Sequence, residues 1–260
     1  MNITAVILAG GLGTRISEET HLKPKPMVEI GGKPIIWHIM KLYSHYGVND
    51  FIICCGYKGY VLKEYFYNYQ MHNSDIHIDM KSGEIKFISN TIEPWTVKLV
   101  DTGYLTGTGG RLKKIIKYLD PKKPFCFTYG DGLSNINIKE LYDFHISHNK
   151  LATITAVYPP SRFGLISHKD NFVTSFSEKP TGEMNTINGG FFILSPKVIS
   201  YIKDFDTYWE NEPLKNLAKD GELKMYNHTG FWQCMDTLRD KTNLEKLWNS
   251  NKAPWKLWKE

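Results

Sequence analysis

The sequence predicts an α/β fold built on a mainly parallel sheet with crossover helices, and three observations carry that expectation. Apolar runs of strand length alternate with segments of helical period through most of the chain. A glycine-rich loop, Gly10-Gly11-Leu12-Gly13, follows directly on the first apolar run. A central apolar run, residues 125–129, ends in Gly130-Asp131-Gly132. That puts a carboxylate where open α/β sheets bind ligands, outside the carboxyl ends of their strands.

Residues 3–8 read as a buried first strand. The apolar stretch 27–30 runs into a Gly31-Gly32-Lys33 turn, and Pro34 stands where a helix begins. Ile36, Ile39, Met40, Tyr43 and Tyr46 then recur at helical spacing up to Gly47, a natural C-terminal stop. Residues 51–55 form a second buried strand, and helical character resumes from about 61 to 69. Alternation over 75–80 and 84–89 around Lys81-Ser82-Gly83 predicts a hairpin. Residues 96–101 read as a strand, and 111–119 as a short helix entered from Thr108-Gly109-Gly110. The fully apolar strand 125–129, a helix over 138–148 and a strand over 151–158 follow.

A second region starts near Pro159-Pro160. It holds a hairpin of 163–167 and 172–177 across Lys169-Asp170-Asn171, an apolar strand over 189–194, and a helix opened by Pro196. Thr237 with Asp240 three residues on predicts a capping box, starting a helix through Leu244, Leu247 and Trp248. Trp255 and Trp258 are expected to pack on the chain's own core. No repeat, low-complexity tract or long linker interrupts the pattern. The expected organisation is one α/β domain over 1–235, with a C-terminal helical extension, 236–260, packed on it.

Composition narrows the function. A chain of 260 residues, 42% hydrophobic, can bury a sizeable core. Its formal charge of +5 suits anionic substrates, but both signs are spread throughout, with no basic stripe of the kind nucleic acid requires. Cys54, Cys55, Cys126 and Cys234 show no metal-ligand spacing and read as buried thiols in a reducing compartment. No leader and no run of about 20 apolar residues is found, so the expectation is a cytoplasmic protein with no membrane partner.

Chemistry concentrates at the glycine loop. Glycines let the backbone approach an anion and present N–H groups to it, and Arg15 and Lys25, in Lys23-Pro24-Lys25-Pro26, add positive charge. The dinucleotide fingerprint is excluded because Ile16 holds the third glycine position, and no Gly-Lys-Ser/Thr of a Walker loop follows. What remains is another kind of nucleotide-phosphate loop, against the plainer alternative of a turn that binds nothing. Asp131 is the first candidate carboxylate and Asp236 its natural partner, since Mg²⁺ is held by one or two carboxylates plus substrate phosphates. For Asp236, a charge at a helix start is an equal alternative. Lys179 in Glu178-Lys179-Pro180 can meet a phosphate, and Asn188 in Asn188-Gly189-Gly190 can read sugar hydroxyls; a solvated turn is the alternative for each. No Ser/His/Asp or Cys/His set stands out, so covalent catalysis has no support.

These residues resemble the sugar-1-phosphate nucleotidyltransferases. AVILAGGLGTR and KPKPMVEIGGKPI match the general signature. GGKPIIWHIMKLYSHYG, DFIICCGYKGYVLKEYF, FTYGDG, NGGFFIL and GFWQCMDTLRDK resemble the members that use CTP and glucose 1-phosphate. The resemblance spans essentially the whole chain. It implies a Rossmann-like sheet and Mg²⁺-dependent formation of CDP-glucose and pyrophosphate, feeding 3,6-dideoxyhexose synthesis for surface polysaccharide. It also implies a homo-oligomer, with a hexamer among the assemblies it allows.

The resemblance further implies that Leu8, Ala9, Gly10, Gly11, Leu12, Gly13 and Thr14 hold the nucleotide, with Thr106, Arg111 and Gly130 on the same side. Arg15 and Lys25 would act on the triphosphate. Asp131 and Asp236 would bind Mg²⁺, Lys179 the sugar phosphate, and Glu178, Asn188 and Gly189 the sugar. Tyr104-Leu105-Thr106-Gly107 departs from the family pattern, which favours small polar residues and a methionine there. The same chemistry with dTTP or UTP, and a non-catalytic nucleotide-sugar sensor, stay open as alternatives.

Overall fold

A computed structural model describes residues 1, 3–88, 92–159, 165–169, 172–177 and 186–259. Seven strands form the central sheet: β1 (Thr4–Ala9), β2 (Asp50–Cys55), β3 (Thr96–Asp101), β4 (Phe125–Tyr129), β5 (Ala152–Val157), β6 (Ile187–Leu194) and β7 (Leu223–His228). Their spatial order is β7-β5-β6-β4-β1-β2-β3. Four of the neighbouring pairs are parallel; β6 alone runs against its neighbours β4 and β5. The expected mostly parallel mixed sheet is what forms.

Period-2 alternation sends the strand side chains to two cores. Ala5, Ile7, Ala9, Phe51, Ile53, Cys55 and Cys126 face one side. There α1 (Ile35–His45), α2 (Gly59–Tyr67), α4 (Ile138–His148) and α6 (Leu238–Asn249) contribute Ile39, Leu62, Leu141 and Leu244. Val6, Leu8, Ile52, Cys54, Phe125 and Phe127 face the other, against Leu112 of α3 (Thr108–Ile115) and Leu217 of α5 (Glu212–Lys219). Burial on both faces explains why these strands read as continuous apolar runs.

Local signals hold where they depend on local chemistry. Pro34 precedes α1, and Gly47 lies past its end at φ 79°, a conformation glycine adopts without steric cost. Thr237 and Asp240 close a reciprocal capping box at α6. Trp255 is fully buried beside α1 and α6, where it stacks on Trp248.

Several elements depart from expectation. The helix expected at 111–119 begins at Thr108, taking in Gly109 and Gly110, and tightens to a 3-10 turn at Ile116–Tyr118. Residues 212–219 and 223–228 form a helix and an edge strand beyond those expected. Gly132–Ser134 pairs with Trp232–Cys234, a small ladder between distant segments. The hairpin Leu165–Lys169 with Phe172–Ser177 forms as expected, although part of its expected turn, and residues 163 and 164, lie outside the described residues.

Candidate nucleotide site

The chain leaves β1 for β2 on one side and later returns to β4 on the other, so the sheet's switch point lies between β1 and β4. The glycine loop follows β1 and Gly130-Asp131 follows β4, so both open at that point. A cavity of about 680 Å³ forms there. Residues 8–15, Lys25, Thr106, Arg111, Gly130, Asp131, Asn188, Gly189 and Asp236 all line it. Glu178 and Lys179 lie outside the described residues.

The three loop glycines answer three different demands. A Cβ on Gly10 would collide with the Arg111 guanidinium. One on Gly11 would meet nothing within 4 Å, so its backbone stands open to the cavity. Gly13 sits at φ 66°, where a side chain would be strained, and its Cβ would also strike Thr20.

Arg111 is 4% exposed and lies beneath this loop. It donates to the carbonyls of Gly10 (3.0 Å), Cys55 (3.2 Å), Gly103 (2.8 Å) and Tyr104 (3.2 Å), and to Thr102 Oγ1 (2.7 Å). Every one of these partners is neutral, and burial depresses its pKa below that of an ordinary arginine. Gly56 completes the interlock: a Cβ there would fall 2.5 Å from Arg111 Nη1 and 2.8 Å from the Gly10 carbonyl. No sequence signal pointed to Gly56.

Lys25 is the centre of the carboxylate pair. Its Nζ donates to Asp131 Oδ2 and to Asp236 Oδ1, each at 2.6 Å, and Arg15 Nη1 meets Asp236 Oδ2 at 2.6 Å. Burial works against the lysine charge, but Asp131 and Asp236 outweigh it and hold its pKa above the ordinary value. Burial likewise pushes Asp236 up, and the bond to Lys25 with the charges of Lys25 and Arg15 brings it below the usual carboxylate value. The short ladder Gly132–Ser134 with Trp232–Cys234 joins the two aspartates, and Met235 N–H donates to Asp131 O at 2.9 Å. Asp240 of the capping box accepts from the Asp236 N–H at 3.1 Å. Of the two lysines in Lys23-Pro24-Lys25-Pro26, Lys23 turns away onto Glu29.

Cys234 corrects the expectation of four core thiols. Cys54, Cys55 and Cys126 are buried, whereas Cys234 is half-exposed on the cavity wall. Burial first, then Asp236 and Asp131, pushes its thiol up to about 12, so it stays protonated and is no nucleophile at neutral pH. Thr106 accepts from Lys114 at 3.2 Å, and the Asn188 carboxamide is oriented by the Gly190 N–H at 2.8 Å. Sequence reasoning also missed Tyr129 and Glu210 on this wall. Tyr129 ends β4, so the strand-end rule that found Asp131 could have found it. Glu210 lies on an irregular segment without any such signal.

A glycine loop and paired carboxylates at the switch point of a two-sided sheet are the arrangement that α/β proteins use to bind nucleotides. The chain belongs to the nucleotidyl transferase family, whose model matches residues 4–235. It is 58% identical over 254 residues to a glucose-1-phosphate cytidylyltransferase of Salmonella typhimurium, covering 98% of this chain and 99% of that one. It is 46% identical to a probable glucose-1-phosphate cytidylyltransferase of Bacillus subtilis, again over 98% and 99%. Among solved structures, HddC from Yersinia pseudotuberculosis superposes with a TM-score of 0.69 at 25% identity, covering 95% of this chain and 99% of that one.

Proposed function

We propose that the chain transfers a cytidylyl group from CTP to α-D-glucose 1-phosphate, giving CDP-glucose and pyrophosphate. The observation that carries the reading is the 58% identity to the Salmonella enzyme over 98% of this chain, and the cavity at the switch point supports it. The nucleophile is a sugar-phosphate oxygen, already an anion, so no strong base is needed. It attacks the α-phosphorus in line, the bond to the bridging oxygen breaks, and pyrophosphate leaves with the electron pair. The protein's task is to bring two polyanions together and to stabilise charge on the transferring and leaving groups.

The open backbone at Gly11 and the residues from Leu8 to Thr14 hold the nucleotide phosphates. Arg111 fixes the Gly10 end of that loop from beneath and adds a positive charge that no carboxylate bonds to among the described residues. Arg15, 71% exposed, can swing onto the departing pyrophosphate, with Lys25 beside it. Lys179, Glu178, Asn188 and Gly189 take the sugar phosphate. Two carboxylates that converge on one cation, here the Lys25 ammonium, are a donor set that suits Mg²⁺, with substrate phosphates and water as the further ligands. Bound by Asp131 and Asp236, Mg²⁺ would supply electrostatic stabilisation of phosphate charge.

The same reading makes residues 236–260 an extension of a single domain, in a cytoplasmic homo-oligomer. No helix among the described residues is long and apolar enough to cross a membrane.

The test is pyrophosphate release from glucose 1-phosphate and Mg²⁺ with CTP, UTP, dTTP, ATP and GTP in parallel. Release with CTP alone, abolished by EDTA, is the expected result. Release with another nucleotide would keep the chemistry and move base choice to the loop at Tyr104-Leu105-Thr106. No release from folded protein would leave a binding site and overturn the enzyme reading.

A further inference from the structure

The wall of the cavity carries one carboxylate that pairs with no lysine, arginine or histidine among the described residues. This is Glu210. Its Oε1 accepts from the Tyr129 hydroxyl at 2.5 Å and its Oε2 from Thr108 Oγ1 at 2.6 Å. Asp131 and Asp236, the other acidic residues of the cavity, are both engaged by Lys25. Glu210 is thus the acidic residue of the cavity that Arg15, Lys25 and Arg111 leave unpaired among the described residues.

The backbone that carries Glu210 is docked, while the carboxylate itself is exposed to solvent. Its neighbour Trp209 is fully buried, edge-on to Phe127 at 5.9 Å and Phe192 at 6.1 Å. The Trp209 N–H donates to Thr108 Oγ1 at 2.8 Å. The carbonyls of Phe205 and Thr207 accept from the N–H groups of Gly107 and Gly110. A Cβ on Gly107 would strike Thr207, and one on Gly110 would strike Phe205, so these glycines exist to let this segment dock on α3. The docked segment sets where the carboxylate starts, and the hydroxyls of Tyr129 and Thr108 hold its two oxygens.

The bonding around it leaves one kind of role. Both hydroxyl protons, of Tyr129 and Thr108, are committed to the carboxylate. Asn188 Nδ2 reaches the Tyr129 oxygen at 3.4 Å. Burial, then Glu210 itself, holds the Tyr129 phenol well above its ordinary pKa, so it remains a neutral donor. A carboxylate has about four acceptor positions, of which two are used. Glu210 can thus only accept, and its charge disfavours phosphate beside it. A cytosine edge would offer one donor next to a lone pair; a vicinal diol offers two donors to two oxygens, as when an acidic residue takes a ribose hydroxyl.

We infer that Glu210 is a specificity-determining residue that accepts hydrogen bonds from a vicinal diol of the substrates, on the ribose or on the hexose. The inference deepens the proposed function and rests on it.

Calorimetric titration of wild type, Glu210→Gln, Glu210→Asp and Tyr129→Phe tests it independently of turnover. One arm uses CTP with its 2′-deoxy and 3′-deoxy analogues and UTP. The other uses glucose 1-phosphate with its 2-, 3- and 4-deoxy analogues. A hydrogen bond to a charged acceptor predicts that wild type discriminates against the deoxy analogues of one arm by roughly tenfold to a hundredfold. Which arm responds identifies the diol. In Glu210→Gln that ratio should collapse to within about threefold, while Tyr129→Phe, which keeps the carboxylate, retains most of it. Glu210→Asp, with the charge drawn back, should fall between.

No discrimination in wild type, or a ratio untouched in Glu210→Gln, would overturn the inference while leaving the activity in place. A loss confined to the preference for CTP over UTP would make Glu210 a reader of the base and overturn it too. If wild type bound neither CTP nor glucose 1-phosphate, the proposed function would fall first and this inference with it.

Discussion

Replacing Lys25 by methionine removes a charge while nearly conserving volume, and its consequence can be worked from the geometry. The Nζ bonds two carboxylates at 2.6 Å each, so their facing oxygens stand no more than about 5 Å apart. With the ammonium gone, two negative charges at about 5 Å repel by about 3 kcal/mol at an effective dielectric constant near 20. Breaking a buried pair from one side costs about 3–5 kcal/mol. Asp131 keeps 26% of its side-chain surface and Asp236 15%, so solvent screening lowers the expected loss to about 2–4 kcal/mol. For a chain of this size that is a fall in Tm of roughly 5–15 °C at pH 7.5.

The pH dependence gives the prediction its shape. In wild type, Asp236 is held below its unfolded value, so its contribution is present above about pH 4 and is lost as pH falls through the depressed value. In Lys25→Met the carboxylate pair relieves its repulsion by taking up a proton, so the folded state binds more protons than the unfolded chain and gains stability as pH falls. The two melting curves should converge on acidification from pH 7.5 to 5. Adding Asp236→Asn to Lys25→Met should recover most of the loss at pH 7.5, and millimolar Mg²⁺ should recover part of it. Differential scanning fluorimetry across pH reads all of this. A variant that melts with wild type at pH 7.5, or stays a constant interval below it at every pH, would refute Lys25 as the internal counter-ion. Turnover should fall by about a hundredfold or more in the same variant.

Arg15→Ala should behave oppositely on stability. Its pair with Asp236 is exposed at the arginine end, so Tm should move by no more than about 2 °C while pyrophosphate release falls by roughly tenfold or more. Gly56→Ala should drive Arg111 off the Gly10 carbonyl, costing about 1–3 kcal/mol by urea unfolding and raising the KM for CTP more than that for glucose 1-phosphate. His38 donates from Nε2 to Ile30 O at 2.8 Å and accepts at Nδ1 from Trp255 at 3.3 Å, a neutral tautomer held among tryptophans. Burial lowers its pKa to about 4, so the unfolded chain takes up this proton first and stability should fall as pH drops from about 6.5 to 4. His38→Leu should reduce the slope of that part of the urea-midpoint profile, and His145, His148 and His228, also lowered by burial, carry the rest.

Much of the fold was legible because the signals are local. Buried strands such as 51–55 and 125–129 announce themselves by apolar runs of the right length, and helix ends by Pro34, Gly47 and the Thr237–Asp240 box. The glycine loop and Asp131 were legible for the same reason, since each sits one turn beyond a strand whose end the pattern marks. Helix 212–219 and edge strand 223–228 were not, because a half-exposed element carries few apolar residues to count.

By itself, then, the sequence determined the two-sided sheet, the glycine loop after β1 and the carboxylate after β4, because periodicity and turn chemistry depend only on neighbours along the chain. Only the tertiary structure decided that Lys25 stands between Asp131 and Asp236, that Arg111 lies beneath Gly10, and that Glu210 faces the cavity. Each of those contacts joins residues 81 or more positions apart across ladders and docked segments whose pairing no local pattern encodes.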